Sequence, residues 1–232
     1  GGYGSNNQAC NSFALFLGLV EEKNISRVVD NLVQDVINQN YHLTTGNLCS
    51  KYLLEMLTEN DHANVAYKIA IQETYPGWGF MLANGATTLW ERWEYKTGGA
   101  MNSHNHPMMG SVGSWFYKYL VGIIPDINGP GFEKFTIHPY IIDELEFIEG
   151  EYKSVKGIIK SAWKIHEGTL YLDLTIPENS TETVFIPAKS IENITEGNKP
   201  VDEVEEVLFL QCEDEYGIFQ VGSGKYHFRS EI

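Results

Sequence analysis

The sequence predicts two consecutive units, a string of helical hairpins followed by an antiparallel β-sandwich. Three observations support this prediction. Apolar residues recur at helical spacing in the first part of the chain and alternate with polar residues in the second. The segment IPDINGPGFEKF, with two prolines and two glycines, ends the helical pattern. The charge also changes there, since residues 1–122 carry ten acidic and seven basic residues and the remainder carries twenty-one and nine. We place the helical unit at residues 1–127 and the β-unit at 128–232.

The helical unit is predicted from apolar stripes. In SRVVDNLVQDVINQN one stripe is formed by Val28, Val29, Leu32, Val33, Val36 and Ile37. Similar patterns predict helices near residues 8–20, 47–58, 62–74 and 111–123. Polar or glycine-rich segments such as EEKN, HLTTG and TENDH separate them, which is typical of short connections between antiparallel helices.

The β-unit is predicted from alternation. In TLYLDLTIP every second residue from Leu170 to Ile176 is apolar, which indicates a strand buried on one face. Further strands are expected near residues 133–138, 144–152, 155–165, 182–187, 206–211, 216–221 and 225–229. Turn signals such as HEG, PENS and GSG separate them, and many short strands at this spacing favour a sandwich.

Composition excludes several classes of function. A net charge of −15 argues against a nucleic-acid partner, because the phosphate backbone repels an acidic surface. No apolar run approaches the roughly 20 residues that a membrane-spanning helix needs. The three cysteines are scattered and form neither a metal-binding spacing nor a disulfide framework, so we expect thiols in the core.

Metal and phosphate sites are also disfavoured. His104 and His106 form an H-x-H pair, but no third ligand stands at a spacing that would complete a zinc site. The glycines of GYGSNN and GSVGS do not form a Walker loop or a dinucleotide-binding fingerprint. No Gly-x-Ser-x-Gly elbow occurs, so a serine hydrolase has little support. We predict neither a metal nor a cofactor.

The segment GATTLWERWE, residues 85–94, favours carbohydrate chemistry. Glu91 lies between Trp90 and Trp93, and sugar rings present apolar C–H faces to indoles while their hydroxyls need polar partners. A carboxylate shielded in this way suits a general base in glycoside hydrolysis. Trp78, Asn105 and His106 are further candidates for sugar contacts. The alternative interpretation is structural, with the two tryptophans anchoring a loop and Glu91 at the surface.

Four segments together resemble the bacterial α-L-rhamnosidases of glycoside hydrolase family 78. They are YGSNNQACNSFALFLGLV, HLTTGNLCSKYLLEMLTENDH, YPGWGFMLANGATTLWERWE and MNSHNHPMMGSVGSWFYKYLVGI, in the order in which that family has them. The later segment GFEKFTIHP resembles the start of the family's C-terminal β-domain. The resemblance covers nearly the whole chain.

This resemblance implies the second half of an (α/α)6 barrel followed by the β-sandwich. It also implies inverting hydrolysis of α-L-rhamnosides, with Glu91 as the general base and no cofactor. His106 beside Asn105 would contact the sugar, and Trp78 and Trp93 would form walls of its pocket. The expected ligand is a rhamnose-containing glycan or glycoside. The compartment stays open between the bacterial cytoplasm and periplasm.

The general acid of the family is expected in a segment of the type D-x-x-x-R-x-E-x-x-G-W, which this sequence lacks. We therefore expect the chain to be inactive alone, with the N-terminal half of the enzyme or another chain covering the open face of the barrel. Two alternatives remain open at this point. One is a non-catalytic carbohydrate-binding module, and the other is an (α/α)6 glycosidase for a different sugar.

Overall fold

The computed structural model describes residues 2–100 and 103–232 and confirms the predicted order of a helical part followed by a β-sheet part. The chain divides into two compact units, residues 1–115 and 116–232. This division lies earlier than the domain boundary that we placed after residue 127. No helix in the described ranges is both long enough and apolar enough to cross a membrane.

The helical unit contains six α-helices among its described residues: Gln8–Phe16 (α1), Ile25–Asn38 (α2), Ser50–Glu59 (α3), Ala63–Ala70 (α4), Trp78–Ala83 (α5) and Ser111–Trp115 (α6). The central helix is α3, which packs against α1, α4 and α6. Within this contact, Trp115 donates from its indole Nε1 to Thr58 Oγ1 at 2.8 Å. Since the Trp115 side chain is fully buried, this bond satisfies a donor that water cannot reach.

The apolar stripe predicted for α2 lies largely where expected. Val28, Val29, Leu32 and Val36 are buried, whereas Ile37 is 40% exposed. The helix predicted over residues 8–20 is shorter and ends at Phe16. Gly18 follows with φ of +63°, a left-handed conformation that stops a helix at little cost when the residue is glycine.

The helix predicted over 111–123 is also shorter than expected. After α6 the chain makes one π-helical turn, Phe116–Leu120, and Ile123 already belongs to a strand. Gly122 produces this change of direction with φ of +81°. A Cβ at this position would lie 2.6 Å from the carbonyl carbon of His138, so only glycine allows the close approach of the two segments.

The β-unit contains eleven strands: Ile123–Pro125 (β1), Lys134–Ile137 (β2), Phe147–Ser154 (β3), Gly157–His166 (β4), Thr169–Ile176 (β5), Thr181–Pro187 (β6), Thr195–Glu196 (β7), Lys199–Pro200 (β8), Val207–Glu213 (β9), Tyr216–Val221 (β10) and Gly224–Glu231 (β11). They form one sheet in the order β1-β2-β6-β10-β9 and a second in the order β3-β4-β5-β11-β7-β8. Neighbouring strands are antiparallel except β2 and β6, which run parallel.

One apolar core lies between the two sheets and is built from both. The five-stranded sheet contributes Phe135, Val184 and Phe219, and the six-stranded sheet contributes Trp163 and Phe228, all nearly inaccessible to solvent. Alternation along β5 matches the prediction, because its leucines face this core while Asp173 faces outward. These contacts confirm the predicted sandwich.

A single carboxyl group interrupts this apolar core. Glu182 on β6 is 1% exposed, and among the described residues neither of its carboxyl oxygens has a hydrogen-bond partner. Burial raises the pKa of Glu182 to about 8, because a charged form would lose its hydration without compensation. The folded β-unit therefore holds Glu182 protonated at pH values where an exposed glutamate is ionised.

Glu182 predicts a pH-dependent stability. Because its folded pKa is raised from the ordinary 4.5 to about 8, stability is fully present below the lower value and is lost as the pH rises toward the upper one. We expect Glu182→Gln to flatten this slope and to be more stable than wild type at pH 8, by about 1–3 kcal/mol. Thermal unfolding measured across this pH range tests the expectation.

The matched control is Glu178→Gln, which changes an exposed glutamate and should leave the slope as in wild type. Parallel pH profiles for wild type and Glu182→Gln would contradict the assignment.

Candidate active site

Two segments of the helical unit pair beside the candidate site. Glu91 donates its backbone N–H to the Ser103 carbonyl at 3.0 Å, and His106 donates its own to the Leu89 carbonyl at 2.9 Å. Between these bonds, His104 and Asn105 on one segment face the single residue Trp90 on the other, as in a β-bulge. Met101 and Asn102 of the MNSHNHP motif lie outside the described residues.

Trp90 is buried beneath this pairing. Its side chain is 2% exposed and stacks on the His104 imidazole, with ring centroids 4.9 Å apart and an interplanar angle of 26°. Tyr95 covers it at a centroid distance of 5.3 Å. The Thr88 hydroxyl donates to the His104 carbonyl, so a side chain of one segment also bonds the backbone of the other beside this stack.

Trp93 anchors the other end of the segment. Its indole Nε1 donates to the Thr45 carbonyl at 2.7 Å, and its ring meets Trp78 edge to face at 5.1 Å. Trp78 in turn donates from Nε1 to the Met109 carbonyl at 2.9 Å. Each of these indoles is only 7% exposed, so each N–H needs an acceptor inside the protein. Trp90 and Trp93 therefore anchor this segment in the interior of the helical unit.

Glu91, between these anchors, borders a cleft of about 680 Å³. The described residues that line the cleft are Gln39, His42, Leu43, Thr44, Thr45, Gly46, Asn47, Tyr75, Pro76, Glu91, Arg92, Trp93, Glu94 and Met109. Glu91, Arg92 and Glu94 are half-buried, so their charged groups border both protein and solvent. The volume lies within the range that small-molecule sites usually occupy.

The wall of the cleft at residues 42–44 is held by a buried amide. Gln8 on α1 is inaccessible to solvent and donates from Nε2 to the His42 carbonyl at 2.9 Å. Its Oε1 accepts from the Thr44 backbone N–H at 2.8 Å. The backbone N–H of Gln8 itself donates to Asp35 Oδ2 on α2 at 3.0 Å. The first two helices thus position the wall through one side chain.

His42 contributes a ring face to the cleft. Its Nδ1 lies 3.1 Å from the Gln39 carbonyl, which can only accept, so Nδ1 carries a proton. Its Nε2 lies 2.7 Å from Thr74 Oγ1. Both ring nitrogens are therefore engaged by the protein, and His42 serves as a wall of the cleft.

The structure brings two of the five predicted site residues to the cleft. Glu91 and Trp93 line it, and Trp78 packs behind Trp93. Asn105 and His106 lie on the paired segment and are not among its lining residues. His106 Nδ1 accepts from the Met108 backbone N–H at 3.4 Å, so in the neutral imidazole the proton resides on Nε2.

Sequence reasoning missed His42, Tyr75 and Glu94 as cleft residues. The HLTTG and YPGWGF segments were informative as motifs, but only the fold shows that both border the same cleft as Glu91. Within the described ranges, no group of three or more His, Cys, Asp or Glu side chains is arranged to hold a metal ion. Of the cysteines, Cys49 is buried as expected, whereas Cys10 is half-buried and Cys212 is exposed.

Comparison with known families confirms the resemblance. The bacterial α-L-rhamnosidase six-hairpin glycosidase domain matches residues 1–120. The chain belongs to this family, glycoside hydrolase family 78. The family's C-terminal domain matches residues 122–200, within the β-unit.

Curated relatives extend this match. An α-L-rhamnosidase of Streptomyces avermitilis is 33% identical over 229 residues, covering 95% of this chain and 21% of the relative. One of Formosa agariphila is 30% identical over 224 residues, covering 94% of this chain and 24% of the relative. The chain thus spans about a fifth to a quarter of the length of these relatives.

Solved structures agree with the fold of both units. The α-L-rhamnosidase of Dictyoglumus thermophilum superposes with a TM-score of 0.89 at 35% identity, over 100% of this chain and 26% of that one. The Streptomyces avermitilis enzyme, solved in complex with L-rhamnose, gives 0.87 at 31% identity, over 97% and 21%.

The Gln8 amide predicts a large effect on stability. Gln8→Leu keeps the volume but leaves the His42 carbonyl and the Thr44 N–H without their buried partner. We expect it to lower the free energy of unfolding of the helical unit by about 1–3 kcal/mol, measured by denaturant titration. Gln34→Leu is the control, because Gln34 is exposed and its side chain, among the described residues, bonds Asn38 on its own helix. Equal effects of the two changes would show that the Gln8 amide does not support the wall.

Proposed function

We propose that this chain supplies the base-carrying part of an inverting α-L-rhamnosidase that hydrolyses terminal α-L-rhamnosides. Glu91 is the general base in this proposal. The observation that carries it is the placement of Glu91, a half-buried carboxylate bordering a cleft and fixed between two buried tryptophans. Family membership supports the same assignment, since curated relatives are named α-L-rhamnosidases.

The proposed chemistry is a single displacement. Ionised Glu91 removes a proton from a water molecule as the water oxygen bonds to the anomeric carbon of rhamnose. The bond from that carbon to the leaving oxygen breaks, and a general acid gives its proton to this oxygen. The sugar leaves with the opposite anomeric configuration. No cofactor takes part.

The general acid is expected outside these 232 residues, because the sequence lacks the family's acid segment. In inverting glycosidases the two carboxyl groups stand roughly 6.5–9.5 Å apart, which leaves room for the water molecule. The other part of the enzyme would therefore face Glu91 across the cleft. We propose that this part, together with a rhamnose-containing glycan or glycoside, is the partner of the chain.

The cleft also supports selection of rhamnose. Rhamnose carries a C6 methyl group where most hexoses carry hydroxymethyl, and an apolar wall such as the Trp93 indole favours the methyl. Discrimination by one such group is worth about 1–3 kcal/mol. His106, with its Nε2 proton, and Asn105 remain proposed donors to sugar hydroxyls, and Trp78 a support for the Trp93 wall.

The decisive change is Glu91→Gln in the longer enzyme that contains this chain. Without a base to activate water, we expect kcat on p-nitrophenyl α-L-rhamnoside to fall by about 10²–10⁴ while the fold is retained. Proton NMR of the wild-type reaction should show the inverted anomer of rhamnose before it mutarotates. Sodium azide, a nucleophile that needs no base, should restore turnover in Glu91→Ala and give a rhamnosyl azide.

The matched comparison is Glu94→Gln, which removes the same charge from the same cleft. We expect it to lower kcat far less than Glu91→Gln. Equal activity of wild type and Glu91→Gln would make Glu91 structural. A folded wild type that releases no rhamnose would instead favour a binding module or a glycosidase for another sugar.

The isolated 232-residue chain should release no nitrophenol from the same substrate, because it lacks the acid. Mixing it with the purified remainder of the enzyme tests complementation. Turnover by the isolated chain, abolished by Glu91→Gln, would place the acid within these residues and contradict this part of the proposal.

A further inference from the structure

Tyr75 is the most exposed aromatic side chain of the cleft. Three of its described lining residues carry aromatic rings, namely His42, Tyr75 and Trp93. Trp93 is 7% exposed, whereas Tyr75 is 50% exposed. A tyrosine that is half exposed beside a proposed sugar site offers more open surface for stacking than the buried Trp93 indole does.

The position of Tyr75 is fixed by its surroundings. Its ring meets Phe80 of α5 edge to face, with centroids 5.5 Å apart and an interplanar angle of 78°. The preceding residue, Thr74, is held to His42 by the 2.7 Å contact at Oγ1. Tyr75 is therefore supported by the Phe80 ring of α5 and, through its neighbour Thr74, by His42.

Hydrogen bonds also hold the loop that carries Tyr75. Gly79 donates its N–H to the Gln72 carbonyl at 3.0 Å, and Gln72 Nε2 reaches the Asn40 carbonyl at 3.3 Å. A Cβ on Gly77 or Gly79 would lie 2.8 or 2.6 Å from the Gln72 carbonyl oxygen, so both positions require glycine. A tyrosine on a loop held in this way loses little conformational entropy when a ligand binds to it.

We propose that Tyr75 is a specificity-determining platform on which the sugar ring attached to rhamnose stacks. The inference rests on the proposed function. Rhamnose itself would lie beside Glu91 and the buried Trp93, while Tyr75 offers its open face to the next ring. The cleft of about 680 Å³ is more than one monosaccharide fills, which supports a second ring. Tyr75 would then determine how strongly the enzyme prefers a leaving group that is itself a sugar ring.

The test compares substrates with and without a second ring in the longer enzyme. Rutinose and neohesperidose are rhamnosyl disaccharides with glucose as the leaving group, and methyl α-L-rhamnoside has no second ring. We expect Tyr75→Ala to lower kcat/KM about tenfold for the disaccharide that wild type cleaves best, mainly through KM, and to leave the methyl rhamnoside within about twofold.

Two further variants separate stacking from folding. Tyr75→Phe keeps the ring and should retain the wild-type activity on the disaccharide. Tyr75→Leu fills the space without an aromatic face and should lose as much activity as Tyr75→Ala. Thermal unfolding of each variant checks the fold. Tyr152→Ala is the control, because it removes a similarly exposed tyrosine of the β-unit that does not line the cleft.

Three results would overturn the inference. They are equal losses on both kinds of substrate, no loss on either, and a wild type that cleaves methyl rhamnoside but neither disaccharide. A wild type that releases rhamnose from none of the substrates would overturn the proposed function itself. The two failures are therefore distinguishable in one series of measurements.

Discussion

The helical unit depends on a simple constraint, that a buried indole N–H must find an acceptor inside the protein. Trp93 meets it at the Thr45 carbonyl and Trp78 at the Met109 carbonyl, each far away in the sequence. Because the acceptors belong to different segments, each bond joins two parts of the chain that are distant in sequence. The large apolar rings then exclude water from these bonds. These hydrogen bonds fix the position of Glu91, because Glu91 lies two residues before Trp93.

The cleft is built on a second set of buried polar contacts. The Gln8 amide holds the wall at His42 and Thr44, and its own backbone is held by Asp35. A site whose walls are fixed in this way can keep a carboxylate in one place relative to a bound substrate, which general base catalysis requires. The polar network and the tryptophans thus stabilise the same feature from two sides.

Buried polar groups of the β-unit also need partners inside the protein, and not all of them have one among the described residues. Trp163 donates from its buried indole to the Leu120 carbonyl at 2.8 Å and is satisfied. Glu182 has no such partner among the described residues, and the core accepts it by keeping the carboxyl group protonated. Stability of the sandwich is therefore linked to pH through the Glu182 carboxyl group, whereas the apolar side chains around it do not titrate.

The sequence by itself determined the two kinds of secondary structure, the family and the choice of Glu91 as candidate base. The spacing of apolar residues reflects which side of each helix or strand is buried. The motif segments, in turn, can be recognised from the linear sequence without knowledge of the fold. The sequence located helix ends less well, as the early ends at Phe16 and Trp115 show. These ends depend on local backbone conformation, a left-handed Gly18 after α1 and a π-helical turn after α6. Only the tertiary structure decided that Tyr75 and His42 share a cleft with Glu91. Residues far apart in sequence meet through the buried hydrogen bonds of Gln8, Trp78 and Trp93, and no local pattern encodes those partners.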